Sequence, residues 1–168
     1  LVQKHIHNGD SYLLNLTMPS KVRTNFTLEE IFHASRAPYK ILLKDQFVCF
    51  SPEIFVKIEN NQISSYPMKG TIDAKIENAE FVLKNDRKEL AEHNTIVDLI
   101  RNDLSTVANQ VLVERFRYVD RIKSNQSDLL QMSSQITGHL PDNFHRELGT
   151  IMTQMLPAGS ISGAPKKK

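Results

Sequence analysis

The sequence predicts an α+β fold, built as one unit or part of one, on three observations. Short β-rich runs bounded by turn residues fill much of the first third and return at residues 111–119. Two capping-box patterns, Thr27 with Glu30 and Asp86 with Glu89, each open a helical stretch. No internal repeat and no linker divides the 168 residues, a length close to one domain.

The elements follow in order. Residues 11–17 alternate apolar with polar and predict a strand. Thr27 caps a helix that runs to about Ser35, with Phe26 stapled onto Ile31. Residues 39–44 and 47–50 flank Asp45-Gln46 as a hairpin, and residues 55–59 and 62–65 flank Asn60-Asn61 as a second. Residues 68–76, after Pro67, read as loop. Asp86 opens a long helix toward Asn102, with Leu90, Val97 and Ile100 among its apolar positions. Residues 111–119 read as strand. For residues 128–136 helix and strand both stand, because apolar and polar residues are mixed without a clear period. Residues 145–155 form an amphipathic helix and residues 158–165 a loop of small residues.

Composition narrows the function classes. At 40% hydrophobic and 24% charged, with 6 Gly and 7 Pro, the chain is neither collagen-like nor wholly disordered. Its 21 basic and 19 acidic groups leave a net charge of +2, too small to argue for nucleic acid or a membrane surface as partner. Three of the basic groups are Lys166, Lys167 and Lys168. The lone cysteine, Cys49, lies in the apolar run Phe47-Val48-Cys49-Phe50 and is expected to be a buried thiol. One cysteine permits no intrachain disulfide, which suits a reducing, cytoplasmic setting. No apolar stretch approaches the ~18 residues of a membrane span. No secretory leader is expected, so the sequons at Asn15, Asn25 and Asn125 read as chance matches. The absence of an initiator Met suggests residues upstream.

Four segments carry candidate chemistry. In Pro67-Met68-Lys69-Gly70-Thr71 a lysine sits beside a glycine that lets backbone approach a ligand closely. Lys69 there is a nucleophile, an anion clamp or a solvated turn lysine. A nucleophilic lysine has to shed its proton, and an ordinary one is almost wholly charged at pH 7. Glu89 and Glu92 stand about 60° apart on one helix face, a spacing that suits a hard cation such as Mg²⁺ or an ordinary wet face. Asp98 and Arg101 form an i,i+3 pair near the helix end. The run 156–166 offers Gly159, Ser160, Ser162 and Gly163 to an anion, but lacks the spacing of a P-loop or a dinucleotide fingerprint.

Taken together and in this order, these segments resemble the chorismate-binding enzyme family. The resemblance runs from residues 9–16 (Gly-Asp-Ser-Tyr-Leu-Leu-Asn-Leu) through Ser51-Pro52-Glu53, Pro67–Thr71, Glu89-Leu90-Ala91-Glu92-His93 and residues 96–104, to Ala158–Lys166. Family members include the large chains of anthranilate, aminodeoxychorismate and isochorismate synthases. The resemblance implies a mixed β-sheet with flanking helices. It also implies one partial domain over residues 1–168, truncated at the C-terminus and at the N-terminus, and inactive as a fragment.

Three positions sort the members. Lys69 matches the aminodeoxychorismate type, where the anthranilate type has alanine. Leu13 stands where isochorismate-forming members carry a water-activating lysine. Gln131 stands three residues before Ser134, where many relatives have a histidine associated with pyruvate elimination, and glutamine is no general base. The resemblance therefore implies the large chain of aminodeoxychorismate (para-aminobenzoate) synthase, serving folate synthesis. Glu89 and Glu92 would hold Mg²⁺, with Glu92 also supporting loss of the ring hydroxyl. Lys69 would be the covalent nucleophile, and Gly70, Thr71 and Ser160 would contact chorismate. Ammonia would come from a glutamine amidotransferase subunit. The alternatives are an anthranilate synthase large chain and a non-catalytic binding module. Glu89 and Glu92 are expected to share a cleft with Lys69, with the Ser160 loop opposite.

Overall fold

The computed structural model describes residues 2–10, 16–51, 53–123 and 127–162, and the side chain of Ser160 lies outside what it describes. The expected strand at 11–17, with Leu13, and the end of the small-residue run from Gly163 to Lys166 fall wholly or mostly outside those residues. The chain forms two compact units: residues 16–55, and residues 1–15 with 56–168.

The smaller unit is a helix on a hairpin. Helix α2 (Leu28–Ala34) starts at Thr27, whose hydroxyl accepts from the Glu30 backbone N–H while the Glu30 carboxylate takes the Thr27 N–H at 2.7 Å. The expected capping box is therefore complete, and the helix ends at the expected Ser35. Phe26 remains 61% exposed. Strands β1 (Tyr39–Leu43) and β2 (Phe47–Ser51) pair antiparallel around Asp45, which takes the left-handed conformation. Lys40 Nζ donates to the carbonyls of Phe32 and Ser35, closing the C-terminal end of α2. Cys49 is exposed rather than buried. The pleat explains this correction. Leu42 and Val48, paired and half-buried, share a face with Lys40, whereas Ile41 and Cys49 pair on the opposite one.

The larger unit, which also carries the short helix α1 (Val2–His7), is built around one strand. Strand β7 (Leu129–His139) is bordered along one edge by β6 (Asn109–Ile122). Along its other edge lie β4 (Gln62–Ser65) and then β5 (Met68–Asp73), end to end. Strand β3 (Lys57–Glu59) pairs with β4 around Asn60 and Asn61, both at positive φ, as a two-residue hairpin needs. Every ladder among the described residues is antiparallel. The residues read as loop at 68–76 are therefore mostly strand β5. The register slips by one between Met68 and Thr71, a bulge that Gly70 accommodates at φ +86°.

Helices α3 (Ala79–Asn85) and α4 (Arg87–Ser105) cover this sheet. Asp86 caps α4 by accepting from the N–H groups of Lys88 and Glu89. The inward stripe of α4 reads His93, Ile96, Val97 and Leu104, all buried, with Ile100 half-buried. Val97 and Leu104 join Ile63, Ile136, Leu140, Phe144, Ile151 and Met155 in the main core. A second cluster, Ala79, Leu83, Leu130 and Met132, seats α3. The expected helix at 145–155 is α5 (Leu148–Met155) preceded by a 3-10 turn, and the expected small-residue loop begins with one helical turn, α6 (Gly159–Ser162).

Candidate functional site

The bulge in β5 is the centre of the candidate site. Bulges re-aim side chains, and this one falls on Lys69 and Gly70. Lys69 is half-buried. Gly70 is pressed by α4 and α3: a Cβ there would stand 3.2 Å from Glu89 Oε2 and 3.1 Å from Leu83 Cδ1. The Glu89 carboxylate thus lies against the backbone of β5, one residue from Lys69. Glu89 had been expected to complete a capping box with Asp86. The Asp86 side chain does cap α4, while Glu89 directs its carboxylate to the strand.

Gln131, on β7 directly across from Thr71, holds the bulge from the other side. Its amide nitrogen donates to the Gly70 carbonyl at 3.1 Å, and its amide oxygen accepts from Thr71 Oγ1 at 2.7 Å. The Thr71 hydroxyl, expected to contact substrate, is thereby engaged, although the residue itself is exposed.

Glu92 is half-buried and 3.7 Å from Lys88 Nζ one turn back. At about 100° per residue it lies some 100° around the helix from the inward His93, while Glu89 lies only about 40° from it. Glu89 therefore faces the sheet and Glu92 its flank. Among the described residues no three His, Cys, Asp or Glu side chains gather as a metal cage. Two carboxylates one turn apart still fit Mg²⁺, which binds through one or two carboxylates and takes its remaining oxygens from water and substrate.

The Ser160 segment is not brought to these carboxylates. The Gly159 N–H donates to Asp103 Oδ2 at 3.1 Å, and a Cβ on Gly159 would meet Leu99 Cβ at 3.3 Å. Asp103 is eleven residues along α4 from Glu92, about 16 Å along the axis. Asp98 and Arg101 form the expected pair at 2.7 Å, exposed near the end of α4.

Behind the bulge lies a buried polar cluster that was not singled out from the sequence. His93 is 0% exposed, and its Nε2 is 2.6 Å from Ser134 Oγ. Ser134 also donates its N–H to the Pro67 carbonyl at the joint of β4 and β5, and its Oγ accepts the Arg117 N–H at 3.0 Å. Arg117 has φ +49° at a register shift of β6, and its guanidinium donates to the carbonyls of Leu83 and Lys84 at the end of α3. Burial pushes the His93 ring below its ordinary pKa, and Arg117 pushes the same way. The Lys69 backbone opposes them. Two features of the sequence point here: a histidine in the apolar stripe of α4, and the paired serines Ser133 and Ser134 in the middle of β7.

A bulged strand carrying a lysine thus packs against a helix carrying two carboxylates, with a buried polar cluster behind it, in an α+β fold. The model of the chorismate binding enzymes matches residues 1–168, and the chain belongs to that family. It is 56% identical over 168 residues to a PabA-like protein of Pasteurella multocida, covering 100% of this chain and 52% of that protein. It is 32% identical over 179 residues to aminodeoxychorismate synthase component 1 of Salmonella typhimurium, covering 98% of this chain and 38% of that one. Among solved structures, anthranilate synthase component I of Streptococcus pneumoniae matches with a TM-score of 0.61 at 26% identity, over 83% of this chain and 31% of that one. The chain spans about half the length of the curated relatives it matches first. No described helix is long and apolar enough to cross a membrane.

Proposed function

We propose that this chain is the chorismate-binding part of an aminodeoxychorismate synthase large chain, which exchanges the ring hydroxyl of chorismate for an amino group. The observation that carries the reading is the Glu89 carboxylate packed against Gly70, one residue from Lys69. It sets a lysine beside a carboxylate-bearing helix, where a cation held by Glu89 and Glu92 would meet an anionic substrate with a leaving hydroxyl.

Within this reading Lys69 is the nucleophile. Its neutral amine forms a bond to a ring carbon while the ring C–OH bond breaks and the hydroxyl leaves as water with the amine's proton. Ammonia then adds to the ring and the lysine leaves, so the net exchange is ammonia in and water out. Glu89 and Glu92 would hold Mg²⁺, which supplies charge neutralisation for the substrate carboxylate when bound. The Gly70 backbone, held by Gln131, lets Glu89 pack beside Lys69 and would offer its peptide to substrate, and Thr71 lies on the same strand. Ser160, next to the Gly159 that is anchored to Asp103, would contact substrate from the C-terminal end of α4. A glutamine amidotransferase subunit would deliver the ammonia, in a cytoplasmic setting.

The test is the product. The intact protein with chorismate, Mg²⁺ and ammonia should yield an aminated ring that retains its enolpyruvyl group, read by mass spectrometry. Fluorescent anthranilate with released pyruvate would assign it to the anthranilate type instead.

A further inference from the structure

We infer that Arg117 is a positioning residue: its guanidinium, delivered by a left-handed bulge of β6, clamps the corner between α3 and α4 and so sets the Glu89 carboxylate against Gly70. The inference rests on the reading of Glu89 as a Mg²⁺ ligand.

The backbone of Arg117 is the first observation. It takes φ +49° where the register of β6 against β7 shifts between Arg115 and Tyr118. Glycine or asparagine adopts such a conformation readily, and arginine does not. The Arg117 N–H donates to Ser134 Oγ at 3.0 Å, which holds the bulge to the centre of β7. Strain of this kind persists where the surroundings impose it, and it commonly serves to aim a side chain.

That side chain reaches α3. One terminal nitrogen donates to the Lys84 carbonyl at 3.1 Å and the other to the Leu83 carbonyl at 3.2 Å. Both carbonyls belong to the last turn of α3, where the helix itself supplies no donors. The buried Arg117 Nε has no hydrogen bond, so the two terminal nitrogens are the anchorage of the guanidinium. Only a planar fork spans two adjacent carbonyls in this way; a lysine is a single point of charge.

The corner so held carries Glu89. Asp86 ends α3 and caps α4, accepting from the N–H groups of Lys88 and Glu89. Leu83 Cδ1 and Glu89 Oε2 are the two atoms nearest to a Cβ built on Gly70, at 3.1 and 3.2 Å. One side of the corner therefore presses Leu83 on the β5 bulge, and the other side presses Glu89 on it. The apolar cluster around Leu83 seats α3, but apolar contact has no direction. The guanidinium supplies direction, tying the bulge of β6 to the corner that meets the bulge of β5.

The test compares the intact protein with Arg117→Asn, which keeps a left-handed backbone but is too short to reach α3. In the metal-free protein the amides of Lys88 and Glu89 should exchange faster in the variant, while Met132 and Ile136 stay protected. Unchanged exchange at Lys88 and Glu89 overturns the inference without any assay of activity. In turnover at saturating chorismate, the Mg²⁺ concentration for half-maximal rate should rise about tenfold, the lower end of what is lost when the support of a metal ligand is removed. KM for chorismate at saturating Mg²⁺ should change little. A variant with the parent's Mg²⁺ dependence per folded molecule also overturns the inference, since Arg117 is then only a support of the fold. If Arg117→Asn does not fold, Arg117→Lys, which keeps the charge without the fork, carries the same two readouts. Should Glu89→Gln leave the Mg²⁺ dependence unchanged, the reading of Glu89 fails, while the exchange result still reports whether Arg117 fixes the corner.

Discussion

Glu89 Oε2 lies against Gly70, close enough that a single methyl group on that residue would meet it at 3.2 Å. This contact joins the start of α4 to the bulge of β5. It also explains why glycine stands there on two counts. The backbone is left-handed at φ +86°, and the space a side chain would fill is taken by Glu89 and Leu83.

Gly70→Ala should therefore cost stability through backbone strain, about 1–3 kcal/mol, and more if Leu83 cannot yield. Denaturant unfolding measures this. Activity should fall further than the lost stability accounts for, because the alanine methyl displaces the Glu89 carboxylate. Equal activity per folded molecule would show that the Glu89 position is unimportant.

Gln131 holds both sides of the same peptide segment, so its removal should loosen β5 rather than unfold the sheet. Gln131→Ala is expected to speed amide exchange at Gly70 and Thr71 while leaving Ile136 and Met132 protected. Loss of two hydrogen bonds at a half-buried position sets the scale, about 1–3 kcal/mol. Uniform destabilisation of the whole of β7 would mean that the amide supports the strand and not the bulge.

How far the sequence disclosed this arrangement depended on how local each determinant is. The capping box at Thr27 and Glu30, and the Asn60-Asn61 turn, are settled within four residues, and both were legible. Strand β5 was not, because Pro67 and Gly70 interrupt the alternation that marks a strand, and the bulge exists only against β7. Strand β7 itself was ambiguous: neighbours cover both its edges and most of both faces, so Met132, Ser133 and Ser134 are all buried and no period of two survives. Cys49 misled because an apolar run does not say which face of a hairpin is covered. In the site, the motifs group Lys69, Gly70, Thr71, Glu89, Glu92 and Ser160, whereas Gly159, next to Ser160, is anchored to Asp103. That distance is set by the length of α4, which motif order does not reveal. The buried environment of His93 is not legible in the sequence, because its partner Ser134 lies 41 residues away.

The smaller unit offers a pH prediction. The Thr27 backbone N–H, and secondarily its hydroxyl, hold the Glu30 carboxyl below the ordinary glutamate value of 4.5. A carboxylate with a lowered folded-state pKa contributes its stability above that ordinary value and loses it as pH falls through the lowered one. Helix α2 should therefore fray below pH 4.5, read by faster amide exchange at Ile31 and Phe32. Glu30→Gln should remove most of this dependence. An unchanged acid response in Glu30→Gln would assign the effect to other carboxylates, Asp73 among them, whose own pKa is lowered by the Lys75 N–H and then by Ser127.

The last prediction separates a nucleophilic lysine from one that clamps an anion. Both roles place Lys69 beside the substrate, and both are compatible with its position on the bulge of β5. They differ in what happens when the amine donor is withheld. A nucleophile reacts once and stops, because no ammonia arrives to release the ring. A clamp leaves chorismate intact. The intact protein incubated with chorismate and Mg²⁺ but no ammonia should gain the mass of chorismate less one water, located by peptide mapping on Lys69. Removing Mg²⁺ with a chelator should suppress the adduct, since Glu89 and Glu92 then hold no cation to neutralise the substrate carboxylate. Adding ammonia afterwards should discharge the adduct as aminated product. Should no adduct form, and Lys69→Ala retain near-full ammonia-dependent turnover, ammonia attacks the ring directly and the lysine is incidental. Should no adduct form while Lys69→Ala raises KM for chorismate with kcat preserved, Lys69 is a clamp, since only binding common to ground state and transition state was lost.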